Sequence, residues 1–354
     1  MRTAVRKRYR SHVVRRAAFL LEAADRVAGG MPELPGPDAR LPVDAQSSSL
    51  LAVVAHWRDP TARGAEQREP LSTCLRSLLD LGVGRVEIVI VTNDVKGAAR
   101  DVASINEEGE SPAFELQIGV WAQPSEAKAT ITVERWRPRG LQRHGFFLTW
   151  HHKRVFRRAG RAGRFTHLLY LEDDIAFTAE KFRYWLAARA PFHTRGLIPG
   201  FIRFERKGDA LLLSDQARTG QHADGGEVDV PGFPETALRV SRRPYQAMLL
   251  LDAPLIEYHL RRSPMRSPLR SNVVKWDLRE RACAGEMFGP TEGLMRAILR
   301  PDAVRTPPSR HGVLVEVRDG GRQRPIAAAC IEHLRPTASL DPTSSVGTVR
   351  VEDF

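Results

Sequence analysis

The first sustained apolar run, Leu50-Leu51-Ala52-Val53-Val54-Ala55, shows no polar alternation, which predicts a strand buried on both faces. Pro70 to Leu81 then puts Leu71, Cys74, Leu75, Leu78 and Leu79 on one helical face and stops at Gly82, predicting a helix. Val86 to Val91 predicts a second buried strand that closes in the turn residues Thr92-Asn93-Asp94. Strand, helix and strand in this order predict a βαβ unit, with the helix on one face of a parallel sheet. Further along, the pattern predicts a third strand at Phe114 to Trp121, a basic helix at Leu148 to Arg158 and a buried strand at His167 to Leu171. A helix over 179–189 and a strand from Leu197 to Phe204 follow. The Gly-, Asp- and Arg-rich stretch from Gly208 to Pro244 predicts an irregular excursion or hairpin. Tyr245 to Leu251 reads as a strand, Pro254 to Arg262 as a helix, 278–287 as a helix, and Ala327 to Ile331 as a short strand.

The two ends differ from this middle. Seven Arg or Lys residues precede the first acid, Glu22, and Val13, Val14, Ala17, Ala18 and Leu21 recur at helical spacing. Such a basic amphipathic helix suits either an anionic membrane surface or simple packing on its own domain. A Pro/Gly/Asp-rich linker runs from Gly29 to Asp44. The expected organisation is a basic helical extension and linker at 1–46, one α/β domain at 47–336, and a tail at 337–354. That domain has a mostly parallel central sheet flanked by helices.

Composition narrows the class of partner. The chain of 354 residues is 42% apolar and 27% charged, with a net charge of +12 carried mostly by arginine. That surplus favours anionic partners such as nucleotides, lipid headgroups or nucleic acid. Cys74, Cys283 and Cys330 form no Cys-x-x-Cys pair and no even-numbered disulfide frame, which points to a reducing compartment. No apolar stretch approaches the ~20 residues that cross a bilayer, and no secretory h-region follows the basic start. The expected location is cytoplasmic, with the option of peripheral contact at the inner membrane face.

The sharpest chemistry lies at Glu172-Asp173-Asp174, directly after Leu168-Leu169-Tyr170-Leu171. Carboxylates at the end of a buried strand are costly unless a positive charge neutralises them, and the carboxyl ends of such strands are where ligands bind in open α/β sheets. A hard divalent cation, Mg²⁺ or Mn²⁺, fits oxygen ligands of this kind. On an extended stretch residues i and i+2 point the same way, so Glu172 and Asp174 face such a cation together and Asp173 turns elsewhere. The same triplet also suits an acidic loop capping a helix that starts near Thr178.

An apolar strand ending in an acidic triplet, downstream of a β-α-β half, resembles the metal-binding D-x-D element of GT-A nucleotide-sugar glycosyltransferases, here as Glu-Asp-Asp. The resemblance covers roughly residues 50 to 335 in layout and is sharp only at Tyr170 to Ile175. It implies a GT-A-like fold, a Mn²⁺ or Mg²⁺ cofactor, and a nucleoside diphosphate sugar as donor. It also implies metal ligation by Asp174 and Glu172, and contact of Asp173 with sugar or ribose hydroxyls. His333, in Cys330-Ile331-Glu332-His333-Leu334, matches a C-terminal histidine that gives a further metal or diphosphate contact in many such enzymes. The nucleoside would sit against His56, Trp57 and Arg58 after the first strand, a stretch that equally suits a loop tryptophan covering the core. Asp94, ending the second strand, suits acceptance from ribose or base and equally suits plain turn chemistry.

An inverting reaction also needs a general base. Glu286 is the first candidate, with Asp252 and Asp277 as rivals. His151 and His152, adjacent on a helix, point to different faces and cannot chelate one metal as an i, i+4 pair can.

Other classes fit less well. A nucleotidyltransferase shares the carboxylate–metal logic but usually carries a Gly-rich basic loop after the first strand, where this chain has His56 to Pro60. A nucleic-acid-binding protein would account for the arginine excess, yet the basic residues are scattered after residue 16 and aromatics make up only 7% of the chain. No Gly-x4-Gly-Lys-Ser/Thr occurs, which excludes a P-loop enzyme. The acceptor is open: a glycan, a lipid-linked sugar or a protein.

Overall fold

The computed structural model describes residues 35–38, 44–59, 64–109, 112–122, 124–138, 145–194, 197–207, 210–213, 227–228, 238–240, 247–261, 312–319, 322–325 and 330–333. Side chains are described for all of these except 64–67, 146, 202–207, 210–213, 227–228, 238–240, 261 and 312–333. The predicted helices within 1–30 and at 278–287, together with Asp277 and Glu286, lie outside the described residues.

A six-stranded, mostly parallel sheet forms the core. Its strands are β1 (Ser49–His56), β2 (Arg85–Thr92), β3 (Glu115–Ile118), β4 (Ala129–Arg135), β5 (His167–Glu172) and β12 (Met248–Asp252), the last numbered in chain order. Their spatial order is β12-β5-β1-β2-β4-β3, with β12 antiparallel to β5 and the other neighbours parallel. Helices α1 (Gly64–Leu79), α2 (Val95–Glu107), α3 (His152–Ala162), α4 (Ala179–His193) and α5 (Ala253–Arg261) accompany the sheet, and a 3-10 segment, Gly145–His151, leads into α3. The protein is therefore α/β. Two smaller sheets accompany it among the described residues. One joins β10 (Glu227–Val228), β11 (Leu238–Val240), β13 (Gly312–Asp319), β14 (Arg322–Pro325) and β7 (Ile198–Pro199); the other joins β6 (Ile175–Ala176), β15 (Cys330–His333), β8 (Ile202–Lys207) and β9 (Ala210–Leu213). Among the described residues no helix is long and apolar enough to cross a membrane.

β1, β2 and β5 are buried almost throughout, as their unbroken apolar runs require of central strands covered on both faces. α1 starts six residues before the expected Pro70, and the expected third strand shrinks to four residues at the sheet edge. Within the excursion expected from Gly208 to Pro244, β9 folds back on β8 as a hairpin.

Two elements about the main sheet, α2 and β4, lie where the pattern predicts none, as do β6, β13 and β14 in the smaller sheets. α2 opens on Asp94, whose side chain accepts from Gly97 N (3.1 Å). Its buried face is mostly small: Gly97, Ala98, Ala99, Val102 and Ile105. At Gly97 a Cβ would come within 2.3 Å of the Asp94 carboxylate and 2.7 Å of the Arg58 guanidinium, so a larger residue would push these two side-chain ends aside. β4 carries Thr130, Thr132 and Glu134 in alternation with Ile131 and Val133, and all five are buried.

Glu134 anchors that polar face. It accepts from Trp121 N (3.1 Å), His151 Nε2 (2.8 Å) and Arg158 (2.7 Å). Burial pushes its carboxyl up, but His151 and Arg158 outweigh burial and hold it below its ordinary value. Nearby, burial raises Glu87 despite bonds from the Trp121 indole and Arg85. Glu134→Ala strands His151 and Arg158, and since Arg158 is partly exposed and can rehydrate, the expected loss is about 2–3 kcal/mol in denaturant unfolding. Wild-type stability in that variant would show that the three donors find other partners.

Candidate active site at the carboxyl ends of β1 and β5

The chain leaves β1 toward β2 on one side, while β5 lies on the other. The strand order reverses at β1, and the crevice beyond the carboxyl ends of β1 and β5 is where open α/β sheets bind ligands. Both ends carry chemistry: β1 ends in His56 and β5 in Glu172, with Asp173 and Asp174 in the turn that follows.

The acidic turn is tightly built in. Asp173 N donates to Ala55 O (3.2 Å) and Glu172 N to Ala247 O (2.9 Å). Ala247 holds a positive φ of 55°, a conformation unusual for a residue with a Cβ, in the segment just before β12. Asp173 and Asp174 are buried and Glu172 is half-buried. The Asp173 carboxylate lies 2.5 Å from His56 Nδ1. An ionised carboxylate only accepts, so Nδ1–H donates. The His56 ring is fully buried, and its Nε2 has no hydrogen-bond partner among the described residues.

Two expectations change here. His56 was expected to line a nucleoside site, but a ring without accessible surface cannot touch a base in this conformation. Asp173 was expected to meet sugar hydroxyls; its carboxylate instead engages His56 inside the sheet end.

Beyond β1 the loop is fastened to β2 and α2. Arg58 N donates to Asn93 Oδ1 and Asn93 Nδ2 returns a bond to Arg58 O, both at 2.8 Å. The Arg58 guanidinium pairs with Asp101 and lies 3.4 Å from Asp94. Asp94 thus serves as helix cap and ion-pair partner, while about half of its side chain (47%) still faces solvent. Trp57 is 38% exposed and stands edge-on to Trp136 at 5.8 Å between centroids. An exposed indole backed by a second one is a surface on which a planar group can stack.

His333 lies on β15 at the register position opposite Ile175, the residue after Asp174. The topology thus brings the backbone of His333 to the acidic turn across 158 residues of sequence. Asp252 is not brought there. β12 runs antiparallel to β5, so Asp252 pairs with His167 at the far end of the sheet, where it is buried against Arg189. It is no candidate for a base acting at the triplet.

The donor set suits a hard cation. It consists of carboxylate oxygens, and the nearby Cys74 thiol is held well above its ordinary value, first by burial and then by the charges of Asp173 and Asp174. That thiol stays protonated and offers no thiolate ligand. Among the described residues no three His, Cys, Asp or Glu side chains are grouped to hold a metal ion. Mg²⁺-type sites are commonly built from one or two carboxylates, waters and substrate phosphates, a pattern that Glu172 and Asp174 can serve.

His151 and His152 also part ways. His151 binds Glu134, whereas His152 Nδ1 lies 2.5 Å from Thr149 O and its ring packs on Tyr170, Phe156 and His259. Both are engaged in the core, away from solvent.

No protein-family model matches the chain, and no curated protein sequence matches it either.

Proposed function

We propose that this protein is a metal-dependent glycosyltransferase that moves a sugar from a nucleoside diphosphate donor to an acceptor. The observation that carries the reading is the position of Glu172-Asp173-Asp174 at the carboxyl end of β5, beside β1, where the strand order reverses. The mostly parallel sheet flanked by helices also agrees with the layout that the resemblance implies. In this reading Glu172 and Asp174 hold Mn²⁺ or Mg²⁺, with His333 adding a contact from β15. The cation supplies Lewis-acid neutralisation of the diphosphate leaving group. Trp57 offers the base a stacking surface, and the exposed part of Asp94 accepts from ribose or base. The basic sequence ahead of the domain suits an acceptor at an anionic surface, such as a lipid-linked sugar.

Calorimetric titration of UDP, GDP, CDP and ADP, each with and without Mn²⁺, tests the reading. One diphosphate is expected to bind only with Mn²⁺ and to weaken on the order of 100-fold, about 2.7 kcal/mol, in Asp174→Ala. Binding of none, or binding indifferent to both Mn²⁺ and Asp174, removes the glycosyltransferase reading.

A further inference from the structure

We propose that His56 is a positioning residue for the acidic turn: by holding Asp173 inside the sheet end, it leaves Glu172 and Asp174 as the carboxylates that take a divalent cation. The inference rests on the metal reading above and adds a division of labour among the three acids.

Three adjacent carboxylates are not equivalent in this turn. Asp173 is buried, its backbone N–H is tied to Ala55 and its side chain to His56 Nδ1, so both its ends are fastened to β1. Glu172 is fastened through its backbone to Ala247, and the residue after Asp174 enters β6, which pairs with β15. The turn is thus fixed on three sides, and the His56 side chain reaches over from β1 to add a fourth tie. Without that donor Asp173 loses the bond that draws its carboxylate toward β1, and it lies close enough to Asp174 for both charges to act on the same Cys74 thiol. Such a carboxylate gains most by turning toward any cation in the crevice, and the geometry of its neighbours would change with it. His56 is itself fully buried, so its influence on a ligand passes through Asp173. Partners of this kind, one shell out from a metal, typically set affinity by about 10–100-fold.

The two ring nitrogens make the idea testable, because Nδ1 bonds Asp173 and Nε2 does not. An asparagine amide places its nitrogen near the Nδ1 position, and a glutamine amide near Nε2. Mn²⁺ binding to the full chain, read by electron paramagnetic resonance and calorimetry, is compared for wild type, His56→Asn, His56→Gln, His56→Leu and Asp173→Asn, with melting temperatures alongside. His56→Asn is expected to keep wild-type affinity within a few-fold, while His56→Gln and His56→Leu lose about 10–100-fold. Asp173→Asn, which can still accept from Nδ1–H, is expected to stay within about tenfold. Equal Mn²⁺ affinity in all three His56 variants overturns the positioning role while leaving the metal reading intact. A wild type that takes no Mn²⁺, alone or with a nucleoside diphosphate, overturns the metal reading itself. If the His56 variants do not fold, Asp173→Asn decides: a loss beyond 100-fold makes Asp173 a ligand and sinks the proposal.

Discussion

Between pH 6.5 and about 4 the protein is expected to lose stability, at up to roughly 2.7 kcal/mol per pH unit from two buried histidines alone. Burial, helped by the Lys153 charge, pushes His152 down to about 3, and burial pushes His167 down to about 4. In the unfolded chain both titrate near the ordinary 6.5. Below that pH the unfolded state takes up two protons that the folded state refuses, so unfolding gains with every step toward acid. Well above 6.5 neither state holds the protons, and the histidines' contribution to the slope dies away. Glu87 and Asp252 act in the opposite sense in the acid part of the window, because their raised carboxyls take protons in the folded state first. In the acid part of the window the net slope is therefore smaller than that of the histidines alone. Denaturant unfolding across this range provides the check, with His152→Phe and His167→Phe each halving the slope. Both rings already sit among aromatics, His152 on Tyr170 at 4.5 Å and His167 edge-on to Phe182 at 5.2 Å, so phenylalanine fits each site in kind. Slopes unchanged in both variants would place the acid sensitivity elsewhere.

The second large effect is at Arg189. Its Nε donates to Asp252 Oδ2 at 2.8 Å and its NH2 group to Pro35 O at 2.6 Å, and both side chains of the pair are almost wholly buried. Burial pushes the Asp252 carboxyl up and the Arg189 guanidinium down, and the attraction between them offsets this only in part. Removing one partner leaves an uncompensated charge, and Arg189→Met is expected to cost about 3–5 kcal/mol. Asp252 also caps α5, accepting from Leu255 N at 3.0 Å, a bond that asparagine can keep. Arg189→Met combined with Asp252→Asn removes both charges and preserves the cap. The double variant should therefore be more stable than Arg189→Met alone, by a coupling that a double-mutant cycle in urea reads directly. Strict additivity would show that the pair is not what holds β12 and α4 together.

What the sequence made legible follows from where water is. β1, β2 and β5 lie inside the sheet with cover on both faces, and their apolar runs announce it. β4 is just as buried but hides behind Thr130, Thr132 and Glu134, because its polar face is satisfied by partners rather than by solvent. Those partners, His151 and Arg158, come from a segment whose packing no local pattern reveals. α2 escapes notice for another reason: its buried face is largely glycine and alanine, which carry little apolar signal. The acidic triplet stood out because charge directly after an apolar strand is rare without a purpose. Its link to His56 did not, since the pair is 117 residues apart and meets only through the β1–β5 pairing. Asp252 misled in the same way: a carboxylate after an apolar strand looks like the triplet until the strand is found to run in the opposite direction.

The bond from Arg189 to Pro35 gives the molecule a front and a back. Pro35 to Asp38 is strapped to α4, with Gly36 against the His193 ring, at the end of the sheet where Asp252 faces His167. The acidic turn opens from the other end of the same strand. A dye carried on a cysteine at the exposed Thr194, just past the end of α4, would therefore sit at the end away from the acidic turn, reporting on the protein without standing in the path of ligands there.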